Sequence, residues 1–324
     1  MKTTVVGSYP KIPDPPAPGR WRTSMEKRQR GEITPADLRR VEDEVTSEVL
    51  AEMAEAGLDL LTDGQIRWED GQTYFAHGLE GFEIHSLQRY FDTNVYYRQP
   101  VAVGEVGWRG PIGVADYQFA ATHSPRPVKP VVTGPVTLAI LSRDEFYGNL
   151  DQFVMALAAA LNQELKALSA AGAAVIQVDE PGLLAHRDRF PLFRRAMEVL
   201  WGGVTATRAL YTYFGHLDGL YPAILDIPVD IIGVDFVAGA RNWEVLRRAR
   251  FTKQLGLGIL DARNTKMETP EAVAEACRRA AEIVPAPRLH VGPSAGLEFL
   301  PRRIARRKLE VLVAGVRQAR EEAA

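Results

Sequence analysis

Two adjacent carboxylates, Asp179 and Glu180, follow directly on the apolar run 173–178, which only Gln177 interrupts, and Pro181 comes next. Carboxylates at the mouth of a cleft can bind a cation or act as a general base, and burial tunes their pKa for either task. A plainer reading competes: the pair caps the next helix or meets a nearby arginine. Recurrence favours chemistry. Asp63 closes one apolar stretch, Asp235 a second, and Asp261 with Arg263 a third. Ser8, Thr133 and Ser294 stand at similar junctions, and Tyr211 and Tyr213 point the same way if their segment is a strand.

Such ends need a scaffold that brings them together. A short apolar run rich in Val and Ile, bounded by Gly or Pro, reads as a strand buried on both faces. The chain has eight: 3–10, 58–64, 128–135, 173–178, 204–215, 230–236, 257–263 and 288–296. Helical patterns alternate with them. Thr34-Pro-Ala-Asp37 supplies a cap, a proline at the first helical position and an acid in the first turn. Leu38, Val41, Val45, Val49 and Met53 follow at helical spacing, and Gly57 ends that helix. Further helices are expected over about 151–171, from Asn242 to Gly256, from Thr269 through Cys277, and from the last strand to the chain's end. The stretch 10–18 is too proline-dense for helix.

Eight strands alternating with helices over 324 residues predict a single α/β domain spanning 1–324, a (β/α)8 TIM barrel. Neither Gly-x-Gly-x-x-Gly after the first strand nor a P-loop is present, so a doubly wound nucleotide-binding sheet lacks its motif. In a barrel the strand ends share one mouth, and there Gly7, Ser8 and Tyr9 join the residues above. Residues 69–127 break the pattern after the second strand and carry many aromatics; a long insertion of that kind is expected to cover or flank the mouth.

A net charge of −2 and a pI near 6.3 exclude nucleic acid as the main partner, since phosphate binding needs a basic face. No stretch is apolar enough to span a bilayer, and the start shows no signal core, so a cytoplasmic protein with a small-molecule substrate is expected. One cysteine, Cys277, allows neither an intrachain disulfide nor a thiolate metal cluster. His290, inside an apolar strand, reads as a core histidine.

Five motifs occur in order: Val6-Gly-Ser-Tyr-Pro10, Asp63-Gly-Gln-Ile-Arg-Trp68, Thr133-Gly-Pro-Val-Thr137, Gln177-Val-Asp-Glu-Pro181 and Gly292-Pro-Ser-Ala-Gly-Leu297. Together they resemble the catalytic barrel of cobalamin-independent methionine synthase in its short form, nearly end to end. The resemblance implies the same barrel, methyl transfer from methyltetrahydrofolate to the homocysteine thiol, and a zinc ion that presents the thiol as thiolate. The positions it ties to zinc carry Tyr211, Tyr213, Asp235 and Ala295 here. A catalytic zinc needs about three N, S or O ligands, and only Asp235 qualifies, so the reading is against a zinc site of the family type. The family's ammonium-binding Glu corresponds to Gln65, and its folate-protonating His to Arg263, a poor proton donor but a good anion anchor.

The leading expectation is therefore a zinc-independent methyltransferase-family enzyme acting on a small amino-acid-like or folate-like substrate. Asp179 and Glu180 would do the chemistry. Gly7, Ser8, Tyr9, Asp63, Gln65, Trp68, Thr133, Tyr211, Tyr213, Asp235, Asp261, Arg263 and Ser294 would line the site. Three alternatives stand beside it: a true methyltetrahydrofolate–homocysteine methyltransferase with other metal ligands, a non-catalytic binding barrel, and a decarboxylase-like relative that would use Arg67 and Arg263.

Overall fold

The computed structural model describes residues 1–17 and 19–322; Pro18 and the last two residues, on which the proline-rich stretch and the final helix were expected to end, lie outside them. In chain order the strands are β1 (Lys2–Thr3), β2 (Leu79–Arg89), β3 (Tyr96–Trp108), β4 (Val131–Thr133), β5 (Arg143–Asp144), β6 (Val175–Asp179), β7 (Thr207–Tyr211), β8 (Ile231–Asp235), β9 (Gln254–Leu260) and β10 (Leu289–Pro293). Seven of them form one sheet, ordered β1-β10-β9-β8-β7-β6-β4, with every pair parallel. Its two edges are joined through 60–61: Thr4 bridges Leu60, and Leu61 bridges Val128. That segment takes the second strand's place, so the curled sheet is the eight-position TIM barrel. Pairing of that segment on its Val128 side is limited to the Leu61 amide on the Pro127 carbonyl and the Lys129 amide on the Leu61 carbonyl, and Pro127 has no N–H to extend it.

Helices cover the barrel as their patterns require. Thr34 caps the helix Pro35–Glu55 in a reciprocal capping box with Asp37. Thr269 caps Pro270–Ala281, and the helix Leu150–Ala170 buries Phe153, Leu157, Leu161 and Leu165 against the sheet. One expectation fails. The helix from Asn242 is a single turn, Asn242–Val245, and Gly256 lies inside β9. The Tyr221 hydroxyl donates to the carbonyls of Leu246 and Ala249, acceptors that a continuing helix would have used itself.

The segment 69–127 is built from the helix Gly71–Gly78, the antiparallel hairpin of β2 and β3, and the helix Val114–His123. β5 adds to the hairpin as a third strand, and the Tyr97 hydroxyl donates to the Leu141 carbonyl at 2.7 Å. The barrel interior is packed, not open. The Tyr211 ring lies so close to β8 and β9 that a Cβ on Gly233 would sit 2.3 Å from it, and one on Gly256 2.9 Å. Gly233→Ala is expected to cost about 1–3 kcal/mol, because a closed barrel cannot shift to relieve the overlap; the drop in denaturation midpoint measures it.

Candidate functional site

Parallel strands release all their C-terminal ends on one side, and there a cavity of about 180 Å³ opens. Gly7, Ser8, Gln65, Trp68, Thr133, Asp179 and Tyr213 line it, as the strand-end reading expects. The loops that carry them are tied together. The Leu297 amide donates to the Ser8 carbonyl at 3.0 Å, and the Ser8 hydroxyl donates to Glu298. A Cβ on Gly7 would lie 2.5 Å from the Gln65 amide nitrogen, so the glycine gives the Gln65 side chain its place against the first strand end.

Asp179 sits at the floor, buried. One carboxylate oxygen accepts from the Gln177 amide at 2.7 Å, the other from the Tyr213 hydroxyl at 3.3 Å. Gln177 is oriented from below. Its carbonyl accepts from the Lys129 ammonium, and since an ammonium only donates, the amide nitrogen must face Asp179 and the Val6 carbonyl. Lys129 is itself buried, 4.7 Å from the Tyr211 ring centre, and burial lowers its pKa to about 7. Burial pushes Asp179 up to about 7, against the lowering pull of the Gln177 hydrogen bond and the Lys129 charge. Asp179 is thus poised to hold or release a proton near neutrality.

Glu180 has a different task. It is fully buried and absent from the cavity wall. Its carboxylate accepts from the amides of Val136 at 2.9 Å and Thr137 at 2.8 Å and from the Thr137 hydroxyl at 2.6 Å. It therefore fixes the Thr133–Thr137 loop to the end of β6 and does not share chemistry with Asp179.

Several residues expected at the site lie elsewhere. Tyr9 is fully buried under the mouth, its hydroxyl donating to Glu52 at 3.1 Å. Asp63 lines a smaller internal space with Asp116 and accepts from the Gln65 amide at 2.9 Å. Tyr211 fills the barrel instead of sharing a pocket with Tyr213, because β7 ends at Tyr211 and the next residues leave the strand alternation. Asp235 accepts from the amides of Phe214, Val237 and Ala238 at 2.8–3.0 Å. Asp261 accepts from the Arg263 amide, and Ser294 from the Ala262 amide. The Arg263 guanidinium is engaged by the Asp92 carbonyl at 2.7 Å and the Phe214 ring at 5.3 Å. Arg67 is buried against Asp43 and Asp116. Neither arginine is free to anchor an anion in the cavity. Ala295 is buried and offers no donor atom. His290 is a core residue, 2.8 Å from the Gln254 side chain.

The cavity also holds residues outside the expected set: Lys11, Asp70, Tyr90, Tyr97, Phe214, Glu298 and Phe299. Lys11, Glu298 and Phe299 sit within two residues of recognisable motifs, which is the signal that could have found them. Tyr90 and Tyr97 come from the insertion, whose aromatic content alone does not say which rings face a ligand.

A family model described as "Cobalamin-independent synthase, Catalytic domain" matches residues 1–318. The chain belongs to that family. It is 34% identical over 326 residues to a protein named methionine synthase from Saccharolobus solfataricus, an alignment covering 99% of this chain and 96% of the relative. Among solved structures, a B12-independent methionine synthase from Shewanella sp. W3-18-1 in complex with selenomethionine superposes with a TM-score of 0.88 at 24% identity, covering 100% of this chain and 98% of that one. A putative vitamin-B12-independent methionine synthase from Listeria monocytogenes gives 0.75 at 18% identity, over 98% and 96%. The fold is shared, and the chain is an enzyme of the methionine synthase-like, methyltransferase class.

Two measurements test the division of labour between the carboxylates. Glu180→Ala leaves three buried donors without an acceptor and is expected to cost at least about 3 kcal/mol in chemical denaturation. Asp179 holds a proton in the folded chain that an unfolded aspartate releases. Its stabilising contribution is therefore complete below about pH 4 and disappears as pH rises to about 7. Asp179→Asn is expected to reduce the slope of the stability profile across that window, to which Glu180 and Glu298, also pushed up to about 7 by burial, contribute as well; an unchanged slope would exclude Asp179 from the titration.

Proposed function

We propose that this enzyme transfers a methyl group to a small amino-acid-like acceptor, most simply one bearing a thiol, held in the strand-end cavity without a zinc ion of the family type. The observation that carries this reading is the pairing of a preserved Asp179 with altered ligand positions. The residues there do not fit zinc. Tyr211 is packed into the barrel, Ala295 has no donor atom, and Asp235 is committed to three backbone amides. Among the described residues, no cluster of three or more His, Cys, Asp or Glu is placed to hold a metal. No helix there is long and apolar enough to cross a membrane.

Asp179 is the group for the acceptor's ammonium or for its thiol proton, and Lys11, the cation lining the cavity, would take a carboxylate by exchanging its hydrogen bond to the Trp68 carbonyl. Gln65 supplies a neutral hydrogen-bonding amide. The selenomethionine in the Shewanella protein, an amino acid with a methylated chalcogen, is a ligand of the class proposed for this cavity. A folate as methyl donor is what the resemblance to the family implies.

Elemental analysis of the purified protein, followed by chelation, tests the zinc-free reading. Sub-stoichiometric zinc and unchanged L-methionine affinity after chelator treatment are expected. Stoichiometric zinc whose removal abolishes activity would restore the zinc-dependent homocysteine methyltransferase. In calorimetry, Asp179→Asn is expected to weaken L-methionine binding by about tenfold or more, the scale of one charge-assisted contact; unaltered affinity would move the site away from β6.

A further inference from the structure

The cavity offers more carboxyl groups and aromatic surface than cationic partners. Four carboxylates border it. Glu69 pairs with Arg98 at 2.7 Å, and Asp70 caps the helix Gly71–Gly78. Asp179 and Glu298 have no ion-pair partner among the described residues. Their hydrogen bonds come from neutral groups: Gln177 and Tyr213 for Asp179, Ser8 for Glu298. The lone lining cation, Lys11, donates to the Trp68 carbonyl and lies 4.5 Å from the Trp21 ring centre.

Beside these carboxylates stands a wall of rings built around Phe214, whose own ring already carries the Arg263 guanidinium 5.3 Å from its centre, so that the neighbouring rings supply the faces for a ligand. Tyr213, Tyr90 and Phe299 pack on it with centroids 4.8, 6.2 and 6.4 Å away, at 71–85° to its plane. Phe214 has φ +69°, a conformation unfavourable for a bulky residue. Its amide donates to Asp235 at 3.0 Å. The acid at a position tied to zinc in the family thus holds a strained backbone that turns an aromatic ring into the cavity. Electron-rich ring faces with nearby carboxylates are the surroundings that recognise a cation without N–H donors.

We infer that the cavity binds a methylated onium cation, a quaternary ammonium or a sulfonium, and that this cation is the methyl donor; the donor role rests on the methyl transfer proposed above. Its positive charge next to the acceptor thiol favours the thiolate, the electrostatic task that zinc performs in the family. The thiol proton passes to Asp179. The thiolate sulfur attacks the onium methyl carbon, an S–C bond forms, and the C–N or C–S bond breaks. The bonding pair leaves on a neutral amine or sulfide, so the leaving group needs no proton and no histidine to supply one.

Calorimetry on the full chain tests binding with tetramethylammonium, trimethylsulfonium and the neutral near-isostere tert-butanol, with L-methionine as a separate titrant. Both cations are expected to bind about tenfold more tightly than the alcohol. Phe299→Ala and Asp179→Asn, each checked for native circular dichroism, are expected to reduce that preference several-fold. Incubation of L-homocysteine with each cation, read by mass spectrometry, is expected to yield L-methionine from at least one and so tell ammonium from sulfonium. Equal affinity for tert-butanol, a preference unmoved in both variants, or no methyl transfer from either cation overturns the inference. If L-methionine still binds in that case, the proposed acceptor site stands; if it does not, both readings fall.

Discussion

The carboxylate of Glu180 is the constraint on which the site depends. It reaches from the end of β6 to the first turn of the helix Pro135–Leu141 and satisfies two amides and a hydroxyl there. Those amides are among the unpaired donors of any helix start, and a buried anion facing them is stabilised by their aligned dipoles. The contact is so close that a Cβ on Gly134 would lie 2.3 Å from the Glu180 carboxyl carbon. With the β4 and β6 ends locked in this way, Thr133 and Asp179 face the same cavity, and Asp179 alone of the adjacent pair lines it.

The barrel interior supplies the second constraint. Lys129, Gln177, Asp179 and Tyr213 form a hydrogen-bonded chain from the barrel's centre to its mouth. Because the ammonium can only donate, the polarity of the whole chain is set. The glycines of β8 and β9 leave room for the Tyr211 ring that packs beneath Lys129. A polar chain in a packed barrel is tolerated only when each member finds partners, and here each does.

Three of the four positions that the resemblance ties to metal binding have packing and backbone roles, and the fourth, Tyr213, lines the cavity. Tyr211 fills volume, Ala295 is core, and Asp235 shapes the loop that presents Phe214. Arg263, expected to anchor an anion, instead fastens the tip of the β2–β3 hairpin to the barrel through the Asp92 carbonyl.

Much of the fold was legible in the sequence. Buried parallel strands are short apolar runs with Gly or Pro at their ends, and all eight expected segments contribute to the barrel. Thr34 and Thr269 announced their helices because capping is local chemistry. The helix expected from Asn242 failed because Tyr221, distant in sequence, takes its carbonyls. The site followed the same rule. Motif spacing placed Ser8, Gln65, Thr133, Asp179 and Tyr213 at one mouth, since parallel strands release their ends on one side. Which neighbour faces inward was decided only in three dimensions. Glu180 turned to the loop amides, Tyr9 and Tyr211 turned to the core, and Lys11, Tyr90, Glu298 and Phe299 closed the cavity from loops and an insertion whose paths depend on long-range packing.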